Sequence, residues 1–249
     1  MSYILERLNT IDHGKFFGIT ALAYCTTFPI FDSLLRHRWS PVSEEYERHC
    51  AGRRTYIRTN IMKSIVITLC GGIFINSLST GKLSLIKTSN WMPYKTLSKN
   101  VLGLYSMTDT IPLLMNKDKM MTSTIVHHVC VGLAHLYVIN SDFRKEGIFK
   151  AIMVYGGFSS LAGLVNFYLG SRFLIKSKKK KRVIKKLALM SYVSSCACNW
   201  TWQVYYLSKL TRQLYMTFDW TRGMSLIFYT AMIKNWIVDD IILMRHLAK

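Results

Sequence analysis

Two apolar runs, VLGLYSMTDTIPLLM (residues 101–115) and STIVHHVCVGLAHLYVIN (residues 123–140), are separated by a short turn that contains two lysines. Each run is long enough, or nearly so, to cross the hydrocarbon core of a bilayer as a helix. They nevertheless contain an aspartate, Asp109, and a pair of histidines, His127 and His128. Because ionisable side chains are costly at that depth, we expect these three to face the protein interior and to carry the function.

The rest of the chain repeats this apolar character. Of its 249 residues, half are hydrophobic, and 33 Lys and Arg oppose 13 Asp and Glu. The densest basic block, KSKKKKRVIKK at residues 176–186, lies between two apolar runs. A cytoplasmic loop beside anionic lipid headgroups explains that block more simply than nucleic acid does. The sequence therefore predicts a polytopic membrane protein with membrane lipids as partners and no nucleic acid; it predicts no oligomeric state.

Seven apolar segments are predicted to span the membrane, which makes the fold class all-α. Residues 1–50 are expected to form an N-terminal membrane anchor and a cytosolic loop, and residues 51–249 the main transmembrane domain. The predicted spans are Phe16–Phe31, Ile61–Leu78, Val101–Met115, Ser123–Ile139, Ile148–Leu169, Leu187–Leu207 and Met224–Met244.

The connections on one side of these spans hold more Lys and Arg than those on the other side. Positively charged connections stay in the cytoplasm, so we expect a lumenal N-terminus, a cytosolic C-terminus and an endomembrane location such as the endoplasmic reticulum. With this orientation, Asp109 and Lys234 both lie near the middle of the membrane. His127 and His128 then lie about one turn inside the cytosolic end of their helix.

Four of the spans carry polar or small residues at helical spacing, so that each has one polar face. Such faces commonly serve close packing and interhelical hydrogen bonds, which remains the alternative to a functional role. A purely structural ion pair between Lys234 and Asp109 is a second alternative. With Asp109, His127 and His128 as catalytic candidates, the candidates for substrate binding are His135, Tyr155, Ser159, Asn166, Asn199, Lys234 and Asp239.

An aspartate inside one membrane helix, in YSMTD at residues 105–109, followed by a His-His pair early in the next, in VHHV at residues 126–129, resembles the TLC-domain family. The segment FSSLAGLVNFYLGSRFL, residues 158–174, is similar to that family's stretch of small residues before an Asn and an aromatic pair. The family contains ceramide synthases, translocon-associated proteins and proteins of the neuronal lipofuscinosis group. The resemblance implies a six-helix bundle or barrel around a central cavity.

The sequence departs from the ceramide synthases at residues 155–160. Those enzymes have a second His-Asp segment on the next helix, whereas this chain reads YGGFSS and has no acidic residue there. The glutamate that often precedes the small residues is also replaced, by Gly157 or Phe158. The sequence therefore leaves both an acyltransferase and a non-catalytic protein as alternatives.

Three hypotheses follow. The first is acyl transfer from acyl-CoA, as a co-substrate, to an amine or hydroxyl of a lipid such as a sphingolipid, with an imidazole as base or nucleophile and Asp109 orienting it. No tightly bound cofactor is expected. The second is a non-catalytic lipid-binding protein that regulates membrane composition or trafficking. The third is a metal site formed by His127, His128, His135 and Asp109; it is disfavoured because adjacent histidines point about 100° apart on a helix.

Overall fold

The computed structural model describes residues 2–116, 122–217 and 219–249. Every regular element in these ranges is helical, which confirms the all-α fold class. The lysine-containing turn at residues 117–121 lies outside the described residues. The helices are α1 Ser2–Thr10, α2 His13–Arg36, α3 Ser43–Glu47, α4 Ala51–Ser79, a 3-10 helix Ser89–Tyr94, α5 Lys95–Asn116, α6 Thr122–Ile139, α7 Ile148–Ser160, α8 Gly163–Ser171, α9 Lys178–Thr217 and α10 Trp220–Ala248.

Six of the seven predicted spans each lie within one of these helices, since long apolar runs favour helix, and two of the helices, α2 and α5, continue through an internal proline, Pro29 and Pro112. The fifth one, predicted as a continuous Ile148–Leu169, is divided. A break at residues 161–162 separates α7 from α8, and the two helices meet at 44°. The predicted continuity of this span is therefore wrong.

Three helices, α2, α4 and α6, are long and apolar enough to cross a membrane, and α7 with α8 is a fourth if the bent pair forms one span. The helices α5, α9 and α10 do not meet these requirements of apolar character and low charge, although each contains a predicted span. The chain therefore has three or four helices of clear membrane-spanning character where seven were predicted.

The helix α5 occupies the centre of the bundle and packs against α1, α2, α4, α6 and α7. Its buried side chains include polar ones, among them Asn100, Ser106, Thr108 and Asp109. This position explains the modest hydropathy of α5, since its neighbours rather than solvent surround it. The N-terminal helix α2 packs onto the same core, where Tyr24 and Phe28 meet Met107.

Small residues bring α4 close to α7 and α8. The Oγ atom of Ser64 donates to the carbonyl oxygen of Gly163 at 2.9 Å. A methyl group on Gly71 would lie 2.8 Å from the carbonyl oxygen of Ser160, closer than such atoms approach one another. Gly71 and Gly163 therefore allow α4 to pack closely against α7 and α8.

Many large apolar side chains are exposed on the outer surface of the bundle, including the surfaces of α9 and α10. On α9 the exposed side chains include Leu187, Met190, Val193 and Val204, and on α10 they include Ile227, Phe228, Val238 and Ile242. Contiguous exposed apolar surface of this kind marks contact with a partner or a membrane. The polar residues Asn199, Gln203 and Asp240 of these helices are buried instead.

Candidate functional site

The polar centre of the bundle forms where α4, α5 and α6 meet. Asp109 of α5 is fully buried, and the ammonium group of Lys63 on α4 contacts its Oδ1 atom. The Nδ1 atom of His128 on α6 lies 3.0 Å from the same oxygen. One carboxylate oxygen therefore receives an ammonium and an imidazole from two different helices, and the predicted association of Asp109 with the His-His pair is confirmed for His128.

The neighbouring histidine turns to another helix. The Nδ1 atom of His127 lies 3.3 Å from Oδ2 of Asp239 on α10. The planes of the His127 and His128 rings are nearly perpendicular, at 89°, with ring centroids 5.6 Å apart. Adjacent helical positions differ by about 100°, so each imidazole meets a carboxylate from a different helix. Asp239, predicted as a substrate-binding residue, thus lies in direct contact with one of the predicted catalytic residues, His127.

Three buried polar atoms in this centre lack a hydrogen bond of acceptable geometry: Oδ2 of Asp109, Nδ1 of His127 and Nδ1 of His128. For His128 the 3.0 Å approach to Asp109 satisfies the distance of an ion pair, but not the angles of a hydrogen bond. Buried unsatisfied polar atoms are rare and commonly mark a place for water, an ion or a substrate group. The site therefore has unused hydrogen-bonding capacity.

These residues are also the ones that could hold a metal. One potential ligand atom each from Asp109, His127 and His128 lie within 4.8 Å of one another. The two histidines therefore converge more than their adjacency suggests. However, the Lys63 ammonium already contacts Asp109, and its positive charge disfavours a second cation beside it.

A second buried carboxylate lies next to this centre. Asp240, the residue after Asp239, accepts hydrogen bonds from the hydroxyl of Tyr155 on α7 and the hydroxyl of Tyr192 on α9, each at 2.6 Å. Tyr155 was predicted to bind substrate, and the structure places its hydroxyl on a carboxylate near His127. The tyrosines connect α7, α9 and α10 through one buried acid.

His135 lies away from this centre. Its Nε2 atom is 3.1 Å from Nε2 of His13 on α2, and the Nδ1 atom of His13 is 3.0 Å from Oδ1 of Asn100. The Asn100 amide nitrogen donates to the carbonyl oxygens of Leu8 and Ile11, which leaves its oxygen to accept from His13. The remaining nitrogen of His13 then accepts from His135. His135 attaches the N-terminal helices to α6, and its grouping with the His-His pair is wrong.

The remaining predicted substrate-binding residues are spread over other contacts. Asn199 accepts a hydrogen bond from Gln203, whose amide also donates to the carbonyl oxygen of Ala151 on α7. Ser159 is half-buried beside Tyr105. Asn166 is half-buried on α8. The structure places none of these three in contact with the histidine pair.

Lys234 is exposed on the outer side of α10 and does not approach Asp109. The predicted pairing of these two residues is therefore wrong, because Lys63 of α4 takes that place. The inward face of α10 carries Tyr229, Ile233, Trp236 and Asp240, which are buried at intervals of four, three and four. Lys234 lies off this face, and its position within an apolar run did not reveal its direction.

Two further lysines, Lys63 and Lys150, were not among the predicted site residues, although the sequence contains a signal for both. Lys63 and Lys150 each interrupt an apolar run, which is costly unless the ammonium is paired. Lys150 is fully buried, and its ammonium donates to the carbonyl oxygen of Ile86 at 3.0 Å and to Oγ1 of Thr88 at 3.2 Å. It therefore fixes the connection between α4 and α5 to the start of α7.

Two cavities accompany these centres. A small one of about 30 Å³ is enclosed by α4, α5 and α7 near Cys70, Tyr105 and Gly157. A larger cleft of about 560 Å³ opens between α6, α9 and α10, near Tyr137 and Leu226. Neither of these two cavities is lined by the His-His pair.

Comparison of the chain with family models, with curated proteins and with solved structures finds no match.

Proposed function

We propose that the protein is a multi-pass membrane protein with seven spans that acts on lipids at the centre formed by Asp109, His127 and His128. The single observation that carries the proposal is the 3.0 Å approach of His128 Nδ1 to the fully buried Asp109. The exposed apolar side chains of α9 and α10 support counting them as spans, because Asn199, Gln203 and Asp240 are buried. Lys234 and Asn235 are exposed polar residues in the middle of α10. The central position of α5 supports the same conclusion for that helix.

The reaction that fits these groups best is acyl transfer. Because Nδ1 of His128 lies 3.0 Å from Asp109, Nε2 is the nitrogen left to act as general base toward the substrate. Nε2 takes the proton of a lipid amine or hydroxyl as that atom forms a bond to the thioester carbonyl carbon. The carbon–sulfur bond then breaks, and the imidazolium returns the proton to the departing thiolate.

The substrates rest on the resemblance to the TLC-domain family described above. It implies acyl-CoA as co-substrate, a lipid of the sphingolipid type as acceptor, no tightly bound cofactor, and a location in the endoplasmic reticulum. The acidic group missing at residues 155–160 has a counterpart here. Asp239 of α10 lies 3.3 Å from His127, so that each histidine has its own carboxylate.

A non-catalytic lipid-binding protein is the second candidate, and a specific observation favours it. The Lys63 ammonium contacts the same Asp109 oxygen that His128 approaches. Its positive charge neutralises the carboxylate, so that Asp109 is already paired before any substrate binds. In that case the unsatisfied atoms of the centre bind the polar headgroup of a lipid without chemistry.

An acyl-transfer assay tests the proposal. Purified protein in detergent is incubated with palmitoyl-CoA and a sphingoid base, and the N-acyl product is measured by liquid chromatography and mass spectrometry. The expected result is product formation that falls by about 100-fold or more in His128→Ala and is unchanged in His37→Ala, which alters an exposed histidine after α2. Absence of product with wild-type protein across sphingoid, glycerol and sterol acceptors rejects the catalytic proposal.

A further inference from the structure

A group of cations lies at the end of the bundle where α4 and α9 begin and α8 and α10 end. Arg172 directly follows α8, and its Nη1 atom lies 3.0 Å from Nε2 of His246 near the end of α10. The charge of Lys185 on α9 is close enough to act on the same imidazole. The guanidinium carbons of Arg53 on α4 and of Arg172 lie 4.6 and 4.8 Å from the ring centroid of Phe173. Four helices thus contribute to this basic cluster of Arg53, Arg172, Lys185 and His246.

The positive charge of the basic cluster is not neutralised by carboxylates within the described residues. Arg53, Arg172 and Lys185 form no ion pair in that part of the chain. Burial and the charges of Arg172, Lys185 and Lys249 lower the pKa of His246, and no carboxylate of a described residue offsets them. A concentration of cations without counter-charge is a place for an anionic ligand.

The acidic residues of α3 are the ones nearest to this part of the chain. Lys176, four residues after Arg172, contacts Glu44 at 3.0 Å and Glu45 at 3.3 Å, so these two carboxylates are already paired. Glu47 forms no ion pair with any member of the basic cluster. The acids of α3 therefore neutralise Lys176 and leave the cluster positive.

Arg172 is held in place but retains a free donor. Its Nε atom is buried and has no hydrogen-bond partner among the described residues. The hydroxyl of Tyr56 lies beside its guanidinium group, and the ring of Phe173 lies against it. Buried unsatisfied donors commonly mark a place for water, an ion or a ligand group. A guanidinium in a fixed orientation matches the oxygens of a phosphate group through two parallel hydrogen bonds.

The basic cluster is separate from the histidine centre. His246 is seven residues beyond Asp239 on α10, which corresponds to about 10 Å along the helix axis. Lys185 is likewise seven residues before Tyr192, whose hydroxyl donates to Asp240. Two helices thus place the cluster on the same side of the centre, at the end whose basic residues are predicted to face the cytosol.

We propose that Arg172, Lys185 and His246 form a binding site for a phosphate monoester. Such a group carries nearly two negative charges at neutral pH and offers three acceptor oxygens, which suits several cations at one place. Two kinds of molecule present it at a membrane surface, the headgroup of phosphatidic acid and the ribose phosphate of coenzyme A. The site does not depend on acyl transfer.

Native mass spectrometry of the full-length protein in detergent tests the proposal with two matched pairs of probes. Phosphatidic acid is compared with phosphatidylglycerol of the same chains, whose phosphate is a diester, and coenzyme A with dephospho-coenzyme A, which lacks the ribose phosphate. The expected result is a saturable one-to-one complex with at least one monoester, and binding of its matched probe about tenfold weaker. The monoester that binds identifies the source, and binding of both assigns the site to their shared phosphate.

Variants at adjacent lysines locate the site. Lys185→Gln is expected to weaken binding of the monoester by about tenfold, and Arg172→Gln by at least as much. Lys186→Gln removes the same charge at the next, exposed position of α9 and should leave binding unchanged. Absence of saturable binding of both monoesters, equal binding of each matched pair, or equal effects of Lys185→Gln and Lys186→Gln overturns the proposal. His128→Ala should still bind the monoester, so that failure of the catalytic proposal and failure of this one give different results.

Discussion

The ammonium group of Lys63 on α4 contacts Oδ1 of Asp109 on α5, and the carboxylate of Asp109 is completely buried. The side chain of Lys63 is only 16% exposed. A buried charge that loses its partner keeps its desolvation cost without the compensating attraction. The contact therefore holds α4 and α5 together at the place where His128 approaches the same carboxylate.

Lys63→Met is expected to reduce the free energy of unfolding by about 3 kcal/mol, because it leaves Asp109 unpaired in the bundle. Lys234→Met is the matched control and should change the free energy by no more than about 0.5 kcal/mol, since that lysine is exposed. Reversible denaturation in mixed detergent micelles measures both. The double variant Lys63→Met/Asp109→Leu should regain part of the loss, and an equal effect of the two single lysine variants contradicts the assignment.

Two adjacent glycines on α4 provide a test of helix packing. Gly71→Ala places a methyl group 2.8 Å from the carbonyl oxygen of Ser160 and should cost about 1 to 3 kcal/mol. Gly72→Ala meets no atom within 4 Å and should stabilise the protein by up to about 1 kcal/mol through helix propensity. Thermal unfolding in detergent measures the difference. The same sign for both variants shows that α4 does not pack against α7 as described.

Glu146, in the connection between α6 and α7, gives a prediction for pH dependence. Burial raises the pKa of this carboxyl group, but hydrogen bonds from Thr88, Tyr206 and Lys209 and the charge of Lys150 outweigh burial, so its pKa lies below the usual value. A lowered pKa in the folded state contributes stability above the pKa of the unfolded state. That stability is lost as the pH falls through the lower, folded value.

Glu146→Gln should therefore reduce stability at neutral pH and flatten the dependence of stability on acid pH. Glu47→Gln, at an exposed position of α3 without an ion pair among the described residues, is the control. Unfolding midpoints between pH 7 and pH 3 give the comparison. If the unfolding midpoint of Glu146→Gln falls with decreasing pH as steeply as that of the wild type, Glu146 does not contribute to the pH dependence of stability.

The topology prediction concerns the basic loop before α9. The same Gly/Ser-flanked glycosylation sequence is inserted after Ser177 in one variant and after Lys87 in another, and both are expressed in cells with an endoplasmic reticulum. The excess of positive charge around residues 176–186 predicts that the first stays unmodified and the second is glycosylated. The reverse pattern shows that the orientation is inverted, and modification of both shows that the number of spans is wrong.

The sequence predicts the helices of this fold well because apolar runs are the strongest local signal. It fails at residues 161–162, where the run continues although the helix does not. The break lies beside Gly163, whose close contact with α4 is a tertiary feature. The modest hydropathy of α5 comes from polar residues such as Asn100 and Asp109, which neighbouring helices bury.

Within the site, the sequence identifies the ionisable side chains whose burial costs free energy, but it does not show which of them face the protein interior. Asp109 and His128 were predicted to associate and do so. Lys234 and Lys63 have the same sequence character, a lysine within an apolar run, yet only Lys63 points inward. The helical spacing of the buried residues Tyr229, Ile233, Trp236 and Asp240 on α10 shows that Lys234 lies off the inward face. By contrast, no local pattern predicts that His135 meets His13, which is 122 residues away.

The most direct test measures product and bound lipid in the same preparations of wild type, His127→Ala and His128→Ala. Mass spectrometry quantifies both after incubation with palmitoyl-CoA and a sphingoid base, and circular dichroism verifies the fold. We expect at least one histidine variant to remain helical and to retain bound lipid while its acylated product falls by about 100-fold or more. Full product and full lipid content in both single variants would contradict a functional role for the histidine centre.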